Sequence, residues 1–201
     1  MKRKHTQHAK TAKRRQQIIQ AALACFIKNG VTDTSIADIC KLAGASIGSV
    51  YHHFKSKELL AASVYLEGIQ NYQQGYLAEL EKRDNAQDGI TAVVHYHLLW
   101  VIDHPDWSRY LFKERHAAFM GRAEEEFKRL NLAFLRQASN WFRAHIDAGK
   151  LKKLPPDIFT SILMGPCQEF ARHYLFGQAR SSPEEAAQKI SQAIWQALKN
   201  S

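Results

Sequence analysis

Thr34-Ser-Ile-Ala-Asp-Ile-Cys-Lys-Leu-Ala-Gly-Ala-Ser-Ile-Gly-Ser-Val-Tyr-His-His-Phe-Lys-Ser-Lys-Glu-Leu59 decides the fold of this chain. A hydroxyl at Thr34 or Ser35 can cap free backbone N–H groups, and Asp38 follows Ser35 at capping-box spacing, so a helix starts there. It carries Ile36, Ile39 and Leu42 and stops at Gly44. After Ala45 the hydroxyl of Ser46 can cap a second short helix over about 47 to 53, and Ser56 caps a third with Glu58 in its first turn, where the helix dipole favours an acid. Two short helices joined by a tight glycine turn form a helix-turn-helix, whose second helix can lie in the major groove of DNA. The supporting helix is 35 to 43, the turn Gly44-Ala45-Ser46 and the reading helix 47 to 53. Ile39, Leu42 and Val50 are expected to face inward; Ser46, Ile47, Ser49, Tyr51 and His52 face outward, with Lys55 and Lys57 at the edge.

Working outward, a helix over about 11 to 28 carries Ile18, Ile19, Ala22, Leu23 and Phe26 on one face, and Gly30 after Asn29 supplies a left-handed stop. Downstream, the helix opened by Ser56 continues through Leu59, Val64, Leu66, Ile69, Tyr72, Tyr76 and Leu80. Further helices fit 88 to 103, 106 to 120, 122 to 148, 157 to 177 and 183 to 199, separated by His104-Pro105, Gly121, Ala148-Gly149 with the loop to Pro156, and the breaker from Gly177 to Ser182. Strand signals are almost absent, so the fold is expected to be all-α. A small DNA-binding domain (1–57) precedes a helical domain (58–201). Gly165-Pro166 inside a helix should bend it.

Charge is segregated. Residues 1–57 hold eleven Lys and Arg against Asp33 and Asp38, so the whole formal excess of +9 lies there; the remainder holds 17 basic and 17 acidic residues. A basic patch confined to one segment fits a polyanionic partner, because cations near phosphates release condensed counterions. The composition, 45% hydrophobic and 23% charged, is that of a folded globular chain. No apolar run reaches membrane-span length, and no secretory signal follows the basic N-terminus, so a cytoplasmic protein without a membrane partner is expected. Cys25, Cys40 and Cys167 are widely spaced among apolar residues and read as buried free thiols.

Ile18-Ile19-Gln-Ala-Ala22 with Phe26 and Gly30, Thr34-Ser-Ile-Ala-Asp-Ile39, Ala43-Gly44, Gly48-Ser-Val-Tyr51, His53-Phe54 and Ser56-Lys-Glu-Leu59 closely resemble the DNA-binding domain of the tetracycline-repressor (TetR) family. Cys40 and Ala45 depart from the usual alanine and valine but stay small and apolar. The resemblance implies that Thr34 and Ser35 touch phosphates, that Ser46, Ile47, Gly48 and Ser49 enter the groove, that Tyr51 and His52 contact backbone or bases, and that Lys57 clamps a phosphate beside Lys55. The basic arm, residues 2 to 15, adds phosphate or minor-groove contacts. Past residue 60 the resemblance is architectural. It implies a homodimer on a palindromic operator and a ligand-released repressor, with a pocket for a small-molecule effector and a dimer interface on the last two helices. An aromatic-rich C-terminal region favours an apolar or aromatic effector, with Ile69, Tyr72, Tyr96, Trp100, Phe112, Phe119, Phe134, Trp141, Cys167 and Phe170 as pocket candidates. Met164, Gln168, Ile190, Ile194 and Leu198 are the candidates for the dimer interface.

Gly44-Ala-Ser-Ile-Gly48 matches a Gly-x-Ser-x-Gly nucleophile elbow, but that elbow follows a strand and here helices flank it. His95-x-His97 at i, i+2 on a helix points the rings to different faces. Neither catalysis nor a cofactor nor a metal site is expected. The alternatives are a helical enzyme or carrier with an incidental basic segment, and a membrane-surface helical protein.

Overall fold

The computed structural model describes residues 2–114 and 117–200, with the side chains of 2–8 and 122 left aside. Nine α-helices fall among the described residues: α1 (Lys2–Asp33), α2 (Ile36–Ala43), α3 (Ile47–His53), α4 (Lys57–Glu81), α5 (Ala86–Asp103), α6 (Pro105–Glu114), α7 (Glu124–Asp147), α8 (Pro156–Leu175) and α9 (Pro183–Leu198), with a short 3-10 helix, Ala118–Ala123, before α7. None is long and apolar enough to cross a membrane. The all-α expectation holds, and the bounds of α3, α5, α8 and α9 fall within two residues of those read from the sequence.

Two boundaries differ. α1 starts nine residues earlier than expected, because nothing in the polar Lys2–Lys10 stretch breaks a helix. Its break at Gly30 has φ 80° and ψ 163°, an extended mirror region open to glycine and not the left-handed cap expected. The helix expected over 106–120 ends at Glu114. α8 runs through Gly165-Pro166 as one element, with Pro166 on its exposed side.

The chain divides into two compact units: Met1–Ile69 with Asp106–Phe127, and Gln70–Pro105 with Lys128–Ser201. The division is not at 57/58. The start of α4 and all but the first residue of α6 belong with the N-terminal helices, because Leu60, Ala61, Val64 and Tyr110 share their core with Ile18, Ile19, Phe26, Ile39, Val50 and Phe54. Tyr110 stacks on Phe26 with centroids 6.0 Å apart and donates its hydroxyl to the Ala61 carbonyl at 3.0 Å. In the second unit α9 packs on α5 and α8, and α8 packs on α5. Its core includes Ile90, Val93, Val94, Leu98, Leu163, Cys167, Ile194 and Leu198.

Candidate functional site

Local devices hold α2 and α3 at a fixed angle. Asp38 N–H donates to Ser35 Oγ at 3.1 Å, and Asp38 Oδ2 accepts from the Ser35 N–H at 3.2 Å and hydroxyl at 2.6 Å, completing the capping box. Those bonds hold the Asp38 carboxyl below the usual carboxylate range. Gly44, at φ 56° and ψ 41°, ends α2 in the left-handed conformation, its N–H bonded to the Cys40 carbonyl. Ser46 Oγ then accepts from Ser49 N–H at 3.1 Å to start α3. Ile39 and Val50 face inward as expected, but Leu42 is 58% exposed. The inward row of α2 is Ile36, Ile39, Cys40 and Ala43, at steps of three and four, and Leu42 falls outside it.

The ten residues assigned to the DNA face do not all remain there. Ser35, Ser46, Ile47, Gly48, Tyr51, His52 and Lys55 are exposed, and Ser49 is half-buried. Thr34 is 1% exposed. Its hydroxyl is turned inward, donating to the Gly30 carbonyl at 2.6 Å and the Cys25 carbonyl at 3.2 Å, so it fastens the α1–α2 corner and cannot reach a phosphate. Lys57 Nζ donates to the carbonyls of Thr32 at 2.7 Å and Thr34 at 2.9 Å, bracing the same corner from the first turn of α4. Two arginines counted in the basic arm are likewise tied to the fold, half-exposed but bonded within it. Arg14 bonds the carbonyls of Ala43 and Gly44, both at 3.3 Å, at the C-terminal end of α2, where a cation opposes the helix dipole. Arg15 pairs with Glu67 at 3.0 Å and lies over the Phe54 ring. Nothing in the local pattern marks these two for the fold, since their partners lie about 30 to 50 residues away. Burial, then His52, Arg15 and Arg14, hold His53 below its ordinary pKa. Lys10, Lys13, Lys28, Lys41 and Lys55 remain exposed cations on this unit. Ser46 puts its hydroxyl into a helix cap between two helices, without the strand a nucleophile elbow requires.

Residues 18–64 match the family described as bacterial regulatory proteins, tetR family. The match takes in the second half of α1, all of α2 and α3 and the first turns of α4. The chain is 39% identical over 67 residues to the HTH-type transcriptional repressor KstR2 of Mycolicibacterium smegmatis, a match covering 31% of this chain and 33% of that protein. The match thus spans about a third of that curated relative. Over nearly the whole chain the fold is similar to a TetR family transcription regulator from Marinobacter aquaeolei, with TM-score 0.79 and 18% identity over 98% of this chain and 100% of the other. It is also similar to FadR of Bacillus subtilis solved in complex with stearoyl-CoA, with TM-score 0.77 and 17% identity over 89% and 96% of the two chains.

Within the second unit, a cleft of about 510 Å³ opens among α4, α7 and α8. Tyr72, Tyr76, Phe134, Ala138, Phe142, Phe159 and Leu163 form an apolar and aromatic wall, and Arg143, Asp147, Lys153, Thr160 and Gln168 add polar groups. Burial pushes the phenols of Tyr72 and Tyr76 above their ordinary pKa, so both are neutral hydrogen-bonding groups. Tyr72 Oη lies 2.8 Å from His97 Nδ1, and burial pushes that imidazole down to about 4; its Nε2 has no hydrogen-bond partner among the described residues. Of the ten expected pocket residues only Tyr72 and Phe134 line this cleft.

The other eight are placed by packing that periodicity does not show. Ile69 and Phe119 pack against the N-terminal core, and Phe112 is exposed on α6, so all three belong to the first unit. Tyr96 lines an open groove with Glu79, Arg83 and His95 and donates to the Tyr72 carbonyl at 3.0 Å. Trp100 lies behind Tyr72, stacked on His104, with Nε1 donating to Asn71 Oδ1 at 2.9 Å. Trp141 lies against Gly89 and donates to the Arg83 carbonyl at 3.2 Å. Cys167 is fully buried, its pKa raised by burial to about 12, and Phe170 stacks on Tyr174. All three cysteines are buried and free, as expected.

The expected dimer residues are also redistributed. α8 buries Phe159, Leu163, Cys167 and Ala171, the first two at the back of the cleft, and turns Thr160, Met164 and Gln168 toward the cleft as well. Met164 and Gln168 are therefore cleft residues. Ile194 is 2% exposed and Leu198 fully buried, both within their own unit, so the apolar stripe of α9 closes on α5 and α8 of the same chain. Ile190 stays half-exposed, and Ala193 and Ala197 are exposed beside it.

Proposed function

We propose that this chain is a homodimeric transcriptional repressor that holds a palindromic DNA operator through α3 and leaves it when a small apolar or aromatic molecule enters the cleft of the second unit. The observation that carries the reading is the outward face of the helix-turn-helix. Ile47, Tyr51 and His52 stand exposed on a helix whose other side is fixed by buried Val50, in a segment holding the chain's whole cationic excess. Phosphates supply affinity to such a surface and base edges supply specificity. Ser46, Ile47, Gly48 and Ser49 enter the groove, Tyr51 and His52 meet the DNA backbone or bases, and Ser35 and Lys55 face the phosphates.

One helix-turn-helix contacts too few base pairs for high specificity, so two copies read successive major grooves about 34 Å apart. The outward faces of α8 and α9, with Ile158, Ser161 and Gly165 on one and Ile190, Ala193 and Ala197 on the other, are the surface proposed for pairing. The wall of the cleft and the stearoyl-CoA bound by FadR support an effector with an apolar body. α4 carries Tyr72 and Tyr76 of that wall, and its first turns pack into the core of the reading unit through Leu60, Ala61 and Val64. A ligand that favours one position of α4 therefore shifts the population of DNA-competent dimers. The cytoplasm is the compartment in which this partner is met. The 201-residue chain is titrated onto genomic fragments captured from a bound-site map. The expected result is two chains per palindrome, with affinity falling steeply as salt is added. Equal affinity for captured and scrambled duplexes overturns the reading.

A further inference from the structure

We infer that Ile47 is a specificity-determining residue that selects thymine in each half-site through the thymine 5-methyl group. The inference rests on the DNA-binding reading proposed above and names what its reading helix recognises. α3, Ile47–His53, contains no Arg, Lys, Asn, Gln, Asp or Glu. Those are the side chains that recognise guanine, adenine or cytosine by paired or directed hydrogen bonds in the major groove. On this helix His52 alone offers a ring nitrogen to a base from an exposed position. The most exposed apolar side chain of α3 is Ile47, at 55%.

That exposure is not loose packing. Ile39 and Val50, in the same helix pair, are completely buried. Among the described residues of the first unit, the large apolar side chains left exposed are Leu42, Ile47, Tyr51 and Phe112, and three of these four lie in the helix-turn-helix itself. Ile47 and Tyr51 are one turn apart and share a face. Beside Ile47, a Cβ added at Gly48 would meet nothing within 4 Å, and Ser46 has its hydroxyl in the helix cap, so no bulky neighbour shields the isoleucine from a base edge.

An aliphatic side chain pressed against a base edge strands any donor or acceptor it covers, which is costly. The one methyl group on the major-groove edge belongs to thymine. Cytosine carries only a hydrogen at C5, so the contact with Ile47 is lost there and thymine is favoured over its pyrimidine alternative.

The test starts from a duplex enriched from a random-sequence DNA library by the full chain. Each thymine in turn is replaced by deoxyuridine, which removes only the 5-methyl group. The expected result is one thymine per half-site, related by the operator's symmetry, at which the replacement weakens binding about fourfold, the worth of one buried methyl-sized group. For Ile47→Ala, with an unchanged unfolding midpoint, the same replacement costs nothing. If every deoxyuridine duplex binds as tightly as its parent, or if Ile47→Ala suffers the same penalty as the wild type, the inference is overturned while sequence-specific binding stands. A library that enriches no sequence overturns the DNA-binding reading and this inference together.

Discussion

The two compact units obey different rules. In the N-terminal unit each boundary around the helix-turn-helix is fixed by a residue acting within its own turn: Ser35 with Asp38, Gly44 after α2, Ser46 before α3 and Ser56, whose hydroxyl accepts from Leu59 N–H at 3.2 Å, before α4. In the second unit the helices are nearly as easy to place, but the partner of each face is chosen by residues far away in sequence. α8 shows how little periodicity then says. Its residues at three- and four-residue spacing do not sort into core and cleft: Phe159 and Leu163 serve both, Cys167 and Ala171 only the core, and Met164 and Gln168 only the cleft. Local chemistry is legible in a sequence, whereas the allocation of equally apolar faces is not.

The largest effect expected from this contrast comes from a charge placed on α9. Ile194→Glu buries a carboxylate in the core of the second unit and should cost about 4 kcal/mol or more of stability, read as the loss of a cooperative unfolding transition. Ala197→Glu, on the exposed side of the same helix, should leave the isolated chain's stability nearly unchanged and act on the mass in solution. Equal stability of Ile194→Glu and wild type would return the α9 stripe to the surface.

A smaller effect, again confined to the second unit, is the pH dependence set by His97. Its folded pKa of about 4 lies below the ordinary 6.5, so the unfolded chain takes up a proton that the folded chain refuses. Stability is therefore intact above about pH 6.5 and declines as pH falls toward 4, by about 3 kcal/mol in total. Chemical denaturation of wild type and His97→Gln across that range checks it: wild type should lose stability relative to the variant as pH falls from 6.5 toward 4. Parallel profiles would show that His97 is not buried in its neutral form.

In the N-terminal unit single changes act locally and cost less. Gly44→Ala meets no atom within 4 Å, so its cost is that of the left-handed backbone alone, about 1 kcal/mol in thermal unfolding. Ser46→Ala removes the α3 cap for a similar amount. A loss above about 3 kcal/mol from either would mean that this corner depends on long-range packing, as the second unit does.

What the sequence left hidden follows the same division. The faces of α2 and α3 could be assigned from three-residue spacing except at Leu42, because the buried row turns at the four-residue step from Ile36 to Cys40 and from Ile39 to Ala43. Thr34 and Lys57 had the right chemistry for phosphate, but inward-facing carbonyls of Gly30, Cys25 and Thr32 claim them, and no sequence pattern announces a carbonyl left over at a helix corner. In the pocket, Tyr72 and Phe134 were found because they are aromatic; Phe142, Phe159 and Leu163 carry no mark that separates them from ordinary core.

The central claim is that the exposed face of α3 meets DNA while the buried face only holds the fold. Tyr51→Ala tests it most directly, because Tyr51 is 47% exposed and the change leaves the core untouched. Operator affinity, measured by titration of labelled duplex at fixed salt, should fall at least about tenfold, the worth of a hydrogen bond to a charged phosphate, with no shift in unfolding midpoint. Undiminished affinity in a folded Tyr51→Ala dimer would contradict the account.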